Sequence, residues 1–175
     1  HLDLSNPYPY DAGSPHDDIP DYESYSRKIA ALNRKYGNRI KKGIEIGYYR
    51  PRKKDILAFL ENKDYDLKLL SVHHNGKFDY LEKPVLQFDK MKFIPTYLKE
   101  MEEAIESISA HVLAHFDYGF RKFNVTVEEL KNFEAQLRAL FQKMIDYSLA
   151  FELNCKSMYL YDHEDIYIYA LSLVK

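Results

Sequence analysis

Residues 40–74 read IKKGIEIGYYRPRKKDILAFLENKDYDLKLLSVHH, and their pattern determines the predicted fold class. The run 40–49 is short and rich in isoleucine, which predicts a β-strand. Pro51 suits the first turn of a following helix, and the apolar spacing carries that helix toward residue 62. The compact apolar run 67–74 then predicts a second strand. A strand, a helix and a strand in this order are typical of a parallel βαβ unit.

The same alternation continues on both sides of this unit. The further predicted elements are a helix from Pro20 to Gly37, a helix that begins at Thr96, a strand over 112–118, the longest helix capped by Thr126 and Glu129, a strand over 150–156 and a terminal helix capped by Asp162. Residues 5–20 and 75–95 are predicted to be loops. This order predicts an α/β fold, with about four βα units around a parallel sheet. Periodicity leaves open whether the sheet is doubly wound or closed into a barrel.

The composition narrows the class of protein. Hydrophobic residues make up 46% of the 175 residues and charged residues 30%, as in a packed globular domain. No apolar run approaches the roughly 18 residues of a membrane span. The 25 basic and 27 acidic residues leave a formal charge of −2, which argues against a broad nucleic-acid-binding surface. We therefore expect neither a membrane nor a nucleic acid as partner.

The single cysteine and the missing motifs restrict the chemistry. Cys155 cannot form an internal disulfide, which favours a reducing compartment, the cytoplasm. We expect it to be a small strand residue rather than a nucleophile. The sequence contains no GxGxxG, GxxxxGK[ST] or GxSxG motif, so dinucleotide, P-loop and serine-hydrolase chemistries are not indicated.

Metal-capable side chains recur near the carboxyl ends of three predicted strands, at Glu45, His73 and His115. A lone strand histidine is usually a satisfied core residue. Recurrence on successive βα units favours a metal site, because ligands gather at this edge of α/β folds. His73 and His74 point to opposite sides of a strand, so we expect His74 to turn away from the site. Asp117 shares a side with His115 and is expected to orient its imidazole.

Several other residues are weaker candidates. Gly43 and Gly47 share the side of Glu45, where they either leave space around its carboxylate or allow close strand–helix packing. Arg121 is either a clamp for a phosphate group or a solvated loop arginine. Solvated positions are expected for His16, His111 and His163.

Four short motifs come in the order found in the PHP (polymerase and histidinol phosphatase) superfamily. They are KGIEIG at 42–47, LSVHH at 70–74, AHFD at 114–117 and FELN at 151–154. The chain resembles this family over essentially its whole length, and the spacing resembles the histidinol-phosphatase branch in particular. The opening His1-Leu2-Asp3 is similar to an early D-H-L-D turn of the family.

The resemblance implies a distorted (β/α)7 TIM-like barrel with a trinuclear centre of divalent zinc, manganese or iron ions. It implies that a metal-bound hydroxide hydrolyses a small-molecule phosphate ester, L-histidinol phosphate, to L-histidinol and phosphate in histidine biosynthesis. The metal ligands implied are His1, Glu45, His73 and His115. The last three of these are also the implied catalytic residues, and Arg121 is the implied contact to the substrate phosphate.

The chain departs from the family at its two ends. The family begins with a strand bearing H-x-H and ends with a strand bearing S-D-x-H. His1-Leu2-Asp3 is not expected to be a degenerate H-x-H motif, because Glu45 follows too soon. Asn154 matches a structural position of the family at the floor of the site. The resemblance thus implies a single PHP-type domain over 1–175 that is truncated at both ends and inactive alone. The alternatives are another PHP phosphoesterase, such as a phosphotyrosine-protein phosphatase, and a non-catalytic PHP fragment; the oligomeric state is not predicted.

Overall fold

The computed structural model describes residues 1–9 and 14–174 of the chain. Within them, six strands form one sheet in the order β2-β1-β3-β4-β5-β6. The strands are β1 Leu2–Asn6, β2 His16–Asp18, β3 Gly43–Gly47, β4 Leu67–Ser71, β5 Val112–Leu113 and β6 Ala150–Phe151. Strands β1 and β2 are antiparallel, and every other neighbouring pair is parallel. The predicted α/β class with a mostly parallel sheet is confirmed.

Strands β1 and β2 correct the predicted loop over 5–20. Residues 10–13 of that segment lie outside the described residues. Strand β1 is internal to the sheet, because it pairs with β2 on one side and with β3 on the other. Its Leu2 and Leu4 are buried in the hydrophobic core, and Asp3 between them points to the opposite face. Such a short strand with an acidic residue at its centre gives no clear hydrophobic pattern in the sequence.

The helices begin and end largely at the local signals in the sequence. They are α1 Tyr22–Tyr36, α2 Lys53–Leu60, α3 Lys90–Ser107, α4 Val127–Leu130, α5 Glu134–Asp146, α6 Cys155–Leu160 and α7 Glu164–Leu173. Gly37 ends α1 with a left-handed φ of 72°. The reciprocal hydrogen bonds of the Thr126–Glu129 capping box open α4. Both predicted caps are confirmed.

Helix α3 differs from the prediction at its beginning. It begins at Lys90 rather than at Thr96, with the Asp89 side chain accepting a hydrogen bond from the backbone N–H of Met91. Pro95 lies inside the helix, although proline usually marks its limit. Helix α3 is also the longest, with 18 residues, because a 3-10 turn at Lys131–Phe133 separates α4 from α5. The expectation that the longest helix follows the capping box is therefore wrong.

The third and fourth predicted strands are shorter than expected, since β5 and β6 have two residues each. After β5 the backbone passes through His115, with a φ of 28°, into a 3-10 turn at Tyr118–Phe120. After β6 the Asn154 side chain caps α6. Cys155 is consequently an exposed residue of a helix and not the expected strand residue.

The hydrophobic core lies between the sheet and the helices. The buried side chains of α3 and α5 include Leu98, Met101, Ile105, Leu137, Leu140 and Met144. In the described part of the chain the sheet ends at β2 and at β6, which do not pair with each other. None of the helices described there is long and apolar enough to cross a membrane.

Candidate metal centre

The structure brings the three predicted strand-end residues together. Glu45 lies on β3, and His73 and His115 lie two residues beyond β4 and β5. The Nε2 atoms of His73 and His115 are 3.0 and 3.1 Å from Oε1 of Glu45. Ligand atoms of these three residues all lie within 4.8 Å of one another, so they could share one ion.

Strand β1 adds a second group of possible ligands. His1, Asp3 and His73 also offer ligand atoms within 4.8 Å of one another. Oδ2 of Asp3 is 2.9 Å from Nδ1 of His73 and 3.6 Å from Nε2 of His1. His1 directly precedes β1 and Asp3 lies within it, and residues two apart in extended chain share one face, so His1-Leu2-Asp3 presents two polar side chains to the site. That His1-Leu2-Asp3 is not a degenerate H-x-H motif stays a prediction. No sequence pattern singled out Asp3, because its partner His73 lies 70 residues further along the chain.

Glycine at position 47 makes room for the Asp3 carboxylate. A Cβ atom at Gly47 would lie 2.4 Å from Oδ1 of Asp3. At Gly43 it would make ordinary contacts, the shortest 3.6 Å from a backbone oxygen of Leu67. The space that Gly47 provides therefore serves Asp3 rather than Glu45.

The alternation of the strand predicts that His74 turns away from the site, but the structure places it against Asp3. Its Nε2 lies 3.1 Å from Oδ1 of Asp3, on the side of that carboxylate opposite to His73. It belongs to neither of the two groups of possible ligands. The short Asp3 carboxylate is thus enclosed between two adjacent histidines of the chain.

The buried charges of the cluster stabilise one another. Burial would raise the pKa of Asp3 and of Glu45, but hydrogen bonds from histidines outweigh it and hold the pKa of both carboxyls well below the usual range. Burial would lower the pKa of His73, but the bonds to Asp3 and Glu45 raise it to about 10.

This donor set fits a divalent cation. In the absence of an ion, each ring nitrogen of His73 faces a carboxylate oxygen, so the ring carries both of its hydrogens. Metal ions displace such protons, and imidazole and carboxylate are ligands that zinc, manganese and iron accept. Nδ1 of His115 is buried and has no hydrogen-bond partner among the described residues.

Tyr118 covers the cluster, and the sequence patterns did not single it out. Its ring centroid lies 4.8 Å from that of His73 and 5.0 Å from that of His115. Its hydroxyl donates to the Asp79 carboxylate, at 3.0 Å from Oδ1. The 3-10 turn that begins at Tyr118 creates this position, and strand periodicity could not predict it.

Arg121 lines the same cleft, which has a volume of about 490 Å³. It is only 5% exposed, so the solvated alternative is wrong. Its Nε and Nη2 atoms donate to Asp117 at 3.3 Å, and its guanidinium carbon lies 5.1 Å from the centre of the Tyr118 ring. The other residues along the cleft include His1, Asp3, Glu45, His73, His115, Lys122, Asn154, Lys156 and Tyr161.

Asp117 orients a histidine other than the expected one. Its Oδ2 is 2.8 Å from Nδ1 of His163, while Ser157 and Tyr167 donate to Oδ1. Burial would raise the pKa of Asp117, but these bonds and Arg121 lower it to about 2. His163 is 3% exposed and stands at the N-cap of α7, so the predictions that it is solvated and that Asp162 caps this helix are wrong.

His115 is held by its backbone instead. Its N–H donates to Oε2 of Glu152 at 2.6 Å. Asn154 donates to the same oxygen at 3.2 Å and accepts from Ser157 at the start of α6. The FELN motif thus connects the turn at His115 to the end of β6.

A family model for the PHP domain matches residues 12–156. The chain belongs to the PHP domain family. The matched range includes Glu45, His73, His115 and Arg121, while His1 and Asp3 precede it. No curated protein matches the chain.

One solved structure with a similar fold is the histidinol phosphate phosphatase of Lactococcus lactis subsp. lactis Il1403, complexed with zinc, L-histidinol and phosphate. The similarity has a TM-score of 0.69 at 19% sequence identity and covers 91% of this chain. The chain spans 64% of the length of that phosphatase. At this identity the likeness establishes the fold that the PHP domain adopts here.

Proposed function

We propose that the protein is a metal-dependent phosphomonoesterase that hydrolyses L-histidinol phosphate to L-histidinol and phosphate, a step of histidine biosynthesis. The convergence of Glu45, His73 and His115 at one edge of a PHP-family sheet carries this proposal. The bound zinc, L-histidinol and phosphate of the Lactococcus lactis phosphatase support a small phosphate ester as the substrate. The activity is proposed for the whole protein, because the chain spans 64% of that phosphatase.

The architecture and location are part of the proposal. The six-stranded sheet would form part of a distorted (β/α)7 barrel, and residues 1–175 would belong to one PHP-type domain. The fold similarity with a TM-score of 0.69 supports this extension. The single, exposed Cys155 supports a reducing, cytoplasmic location.

The proposed metal ligands are His1, Glu45, His73 and His115, with Asp3 added by the geometry. They would hold divalent zinc, manganese or iron ions in a trinuclear centre. Such ions lower the pKa of bound water and neutralise phosphoryl charge, which a reaction as slow as phosphomonoester hydrolysis requires. The chain itself provides two carboxylates whose negative charge the neighbouring imidazoles stabilise.

Arg121 is the proposed contact to the substrate phosphate. Asp117 binds its Nε and Nη2 atoms, so the side chain is fixed while Nη1 keeps its hydrogens for a phosphoryl oxygen. The Tyr118 ring, which stacks near both Arg121 and the two histidines, would limit the width of the cleft between the metal ligands and this guanidinium.

The test is the Glu45→Gln variant of the full-length protein. It keeps the shape of the side chain and removes the negative charge, so we expect turnover of histidinol phosphate to fall by more than about 100-fold, beyond the effect of residues that only orient ligands. Metal content, circular dichroism and turnover are measured beside the exposed control Glu61→Gln. Normal turnover of Glu45→Gln would remove this residue from the centre, and a preference for phosphotyrosine over histidinol phosphate would favour the alternative PHP phosphatase.

A further inference from the structure

A second histidine lies behind the candidate metal centre. The side chain of His74 is fully buried, and its Nε2 contacts Oδ1 of Asp3 at 3.1 Å. His73 and His1 face the other oxygen, Oδ2, to which the Asn6 side-chain amide also donates at 3.0 Å. The two oxygens of one carboxylate therefore have different partners, one on the side of the possible ligands and one behind it.

The position of the ring hydrogen of His74 follows from its other nitrogen. The backbone N–H of Gly76 donates to Nδ1 at 3.0 Å, so Nδ1 is an acceptor and carries no hydrogen. The ring hydrogen therefore lies on Nε2 and is donated to Oδ1 of Asp3. A backbone amide thus selects the tautomer that can hold this carboxylate.

The surroundings leave the His74 ring a single position. Gly76 has a left-handed φ of 82°, and a Cβ atom there would lie 2.0 Å from the hydroxyl oxygen of Tyr49. The Tyr49 ring packs on His74, with the ring centroids 5.0 Å apart. The close approach of Gly76 is therefore part of the same packed unit as the histidine.

We propose that His74 is a positioning residue, which holds Oδ1 of Asp3 so that Oδ2 keeps its direction toward His1 and His73, with which it would hold a metal ion. This role rests on the proposed function, in which Asp3 is a ligand. With Oδ1 held by His74 and Oδ2 contacted by Asn6, the carboxylate has a fixed direction, and hydrogen-bond partners of this kind commonly set the affinity of a metal site.

The experiment compares His74→Leu with His74→Gln in the full-length protein. Leucine cannot donate a hydrogen bond, whereas the glutamine amide can place an N–H near the position of Nε2. We expect His74→Leu to lose about 10–100-fold in affinity for Zn²⁺ or Mn²⁺, measured by competition with a chelator, and His74→Gln to retain most of it. The control His111→Gln changes an exposed histidine away from the cluster and should bind as the wild type does.

A double-mutant cycle separates positioning from a general loss of structure. In the Asp3→Asn background, His74→Leu should cause little further loss of metal affinity, because its effect passes through that carboxylate. Unchanged metal affinity in His74→Leu overturns the positioning role, and so does an equal loss of affinity in the wild-type and Asp3→Asn backgrounds. In either case, the proposed function still holds if the wild type binds metal.

A measurement on the metal-free wild type tests the proposal even if the variants fail to fold. Long-range ¹H–¹⁵N spectra should show the His74 hydrogen on Nε2 and none on Nδ1. A hydrogen on Nδ1 overturns the proposal. A wild type with the expected tautomer that binds no metal overturns the proposed function and, with it, the role of His74.

Discussion

Asp3 is the residue on which the second group of ligands depends, and it has almost no freedom to move. Its carboxylate is 1% exposed and contacts His73 and His74. The missing side chain of Gly47 leaves the space that Oδ1 occupies. A substitution at this glycine therefore acts on the ligand directly, without changing any ligand.

We expect Gly47→Ala to weaken metal binding. A Cβ atom 2.4 Å from Oδ1 of Asp3 forces the carboxylate out of its place, so metal affinity should fall by at least about 10-fold, as for other displaced partners of ligands. Chelator competition measures the metal affinity, and thermal unfolding of the metal-free protein separately measures any loss of stability. Gly43→Ala is the matched control, since its Cβ meets only ordinary contacts at 3.6 Å or more. Equal affinities in the two variants would contradict this explanation.

Single site residues were predictable from the sequence where local spacing indicates their position near the end of a strand. Glu45, His73 and His115 stand near strand ends that the patterns indicate, and the structure brings them together. Asp3 and His163 were not, because their roles come from partners far along the chain. His163 meets Asp117 only after α6 has turned the chain back.

At the scale of elements, Asp117 joins three parts of the fold. It stands before the turn that carries Tyr118, and it accepts hydrogen bonds from Ser157 on α6 and Tyr167 on α7. Because the hydrogen bonds from His163 and Tyr167 and the charge of Arg121 favour the ionised carboxylate more than burial disfavours it, Asp117 stabilises this junction most when it is ionised. The docking of α6 and α7 should therefore depend on pH.

The ionisation of Asp117 gives a stability difference with a defined pH range. Its pKa in the folded protein is about 2, below the ordinary 3.8, so its contribution is complete above pH 3.8 and is lost as the pH falls toward 2. We expect Asp117→Asn to lower the free energy of unfolding by about 2 kcal/mol at pH 7 and to cost little near pH 2. Denaturant unfolding at several pH values measures this, with the exposed Asp64→Asn as control. A pH-independent difference would show that the charge is not the cause.

Elements with local signals were predictable, and elements set by tertiary contacts were not. The caps at Gly37 and at Thr126 are visible in the sequence because their hydrogen bonds join near neighbours. Helix α3 passes through Pro95 because its flanking residues Ile94 and Leu98 are buried in the core. Strands β5 and β6 are too short to show a period of two.

For the whole molecule, the end of the sheet at β6 is the surface that favours association between copies of the chain. Leu153 follows this strand, and Tyr159 and Leu160 lie on α6, with exposures of 53%, 76% and 72%. Exposed strand edges next to apolar side chains favour association between copies of a chain.

We expect residues 1–175 to self-associate through this surface. The double substitution of Tyr159 and Leu160 by lysine should lower the mass measured by light scattering toward the 20.8 kDa of one chain. Leu57→Lys alters a 43% exposed leucine on α2 and should leave the mass unchanged. If residues 1–175 without substitutions are monomeric, this prediction is wrong.

His73 belongs to both groups of possible ligands, one through each nitrogen of its ring. A neutral imidazole has one lone pair available for a metal, because the other nitrogen keeps its hydrogen. The two groups are therefore rivals for a single lone pair, and only one of them can be a complete three-residue site at a time. Titration with Zn²⁺ in a calorimeter should then show one tight equivalent followed by weaker uptake, and equal, independent steps would mean that the ions are not held through this ring.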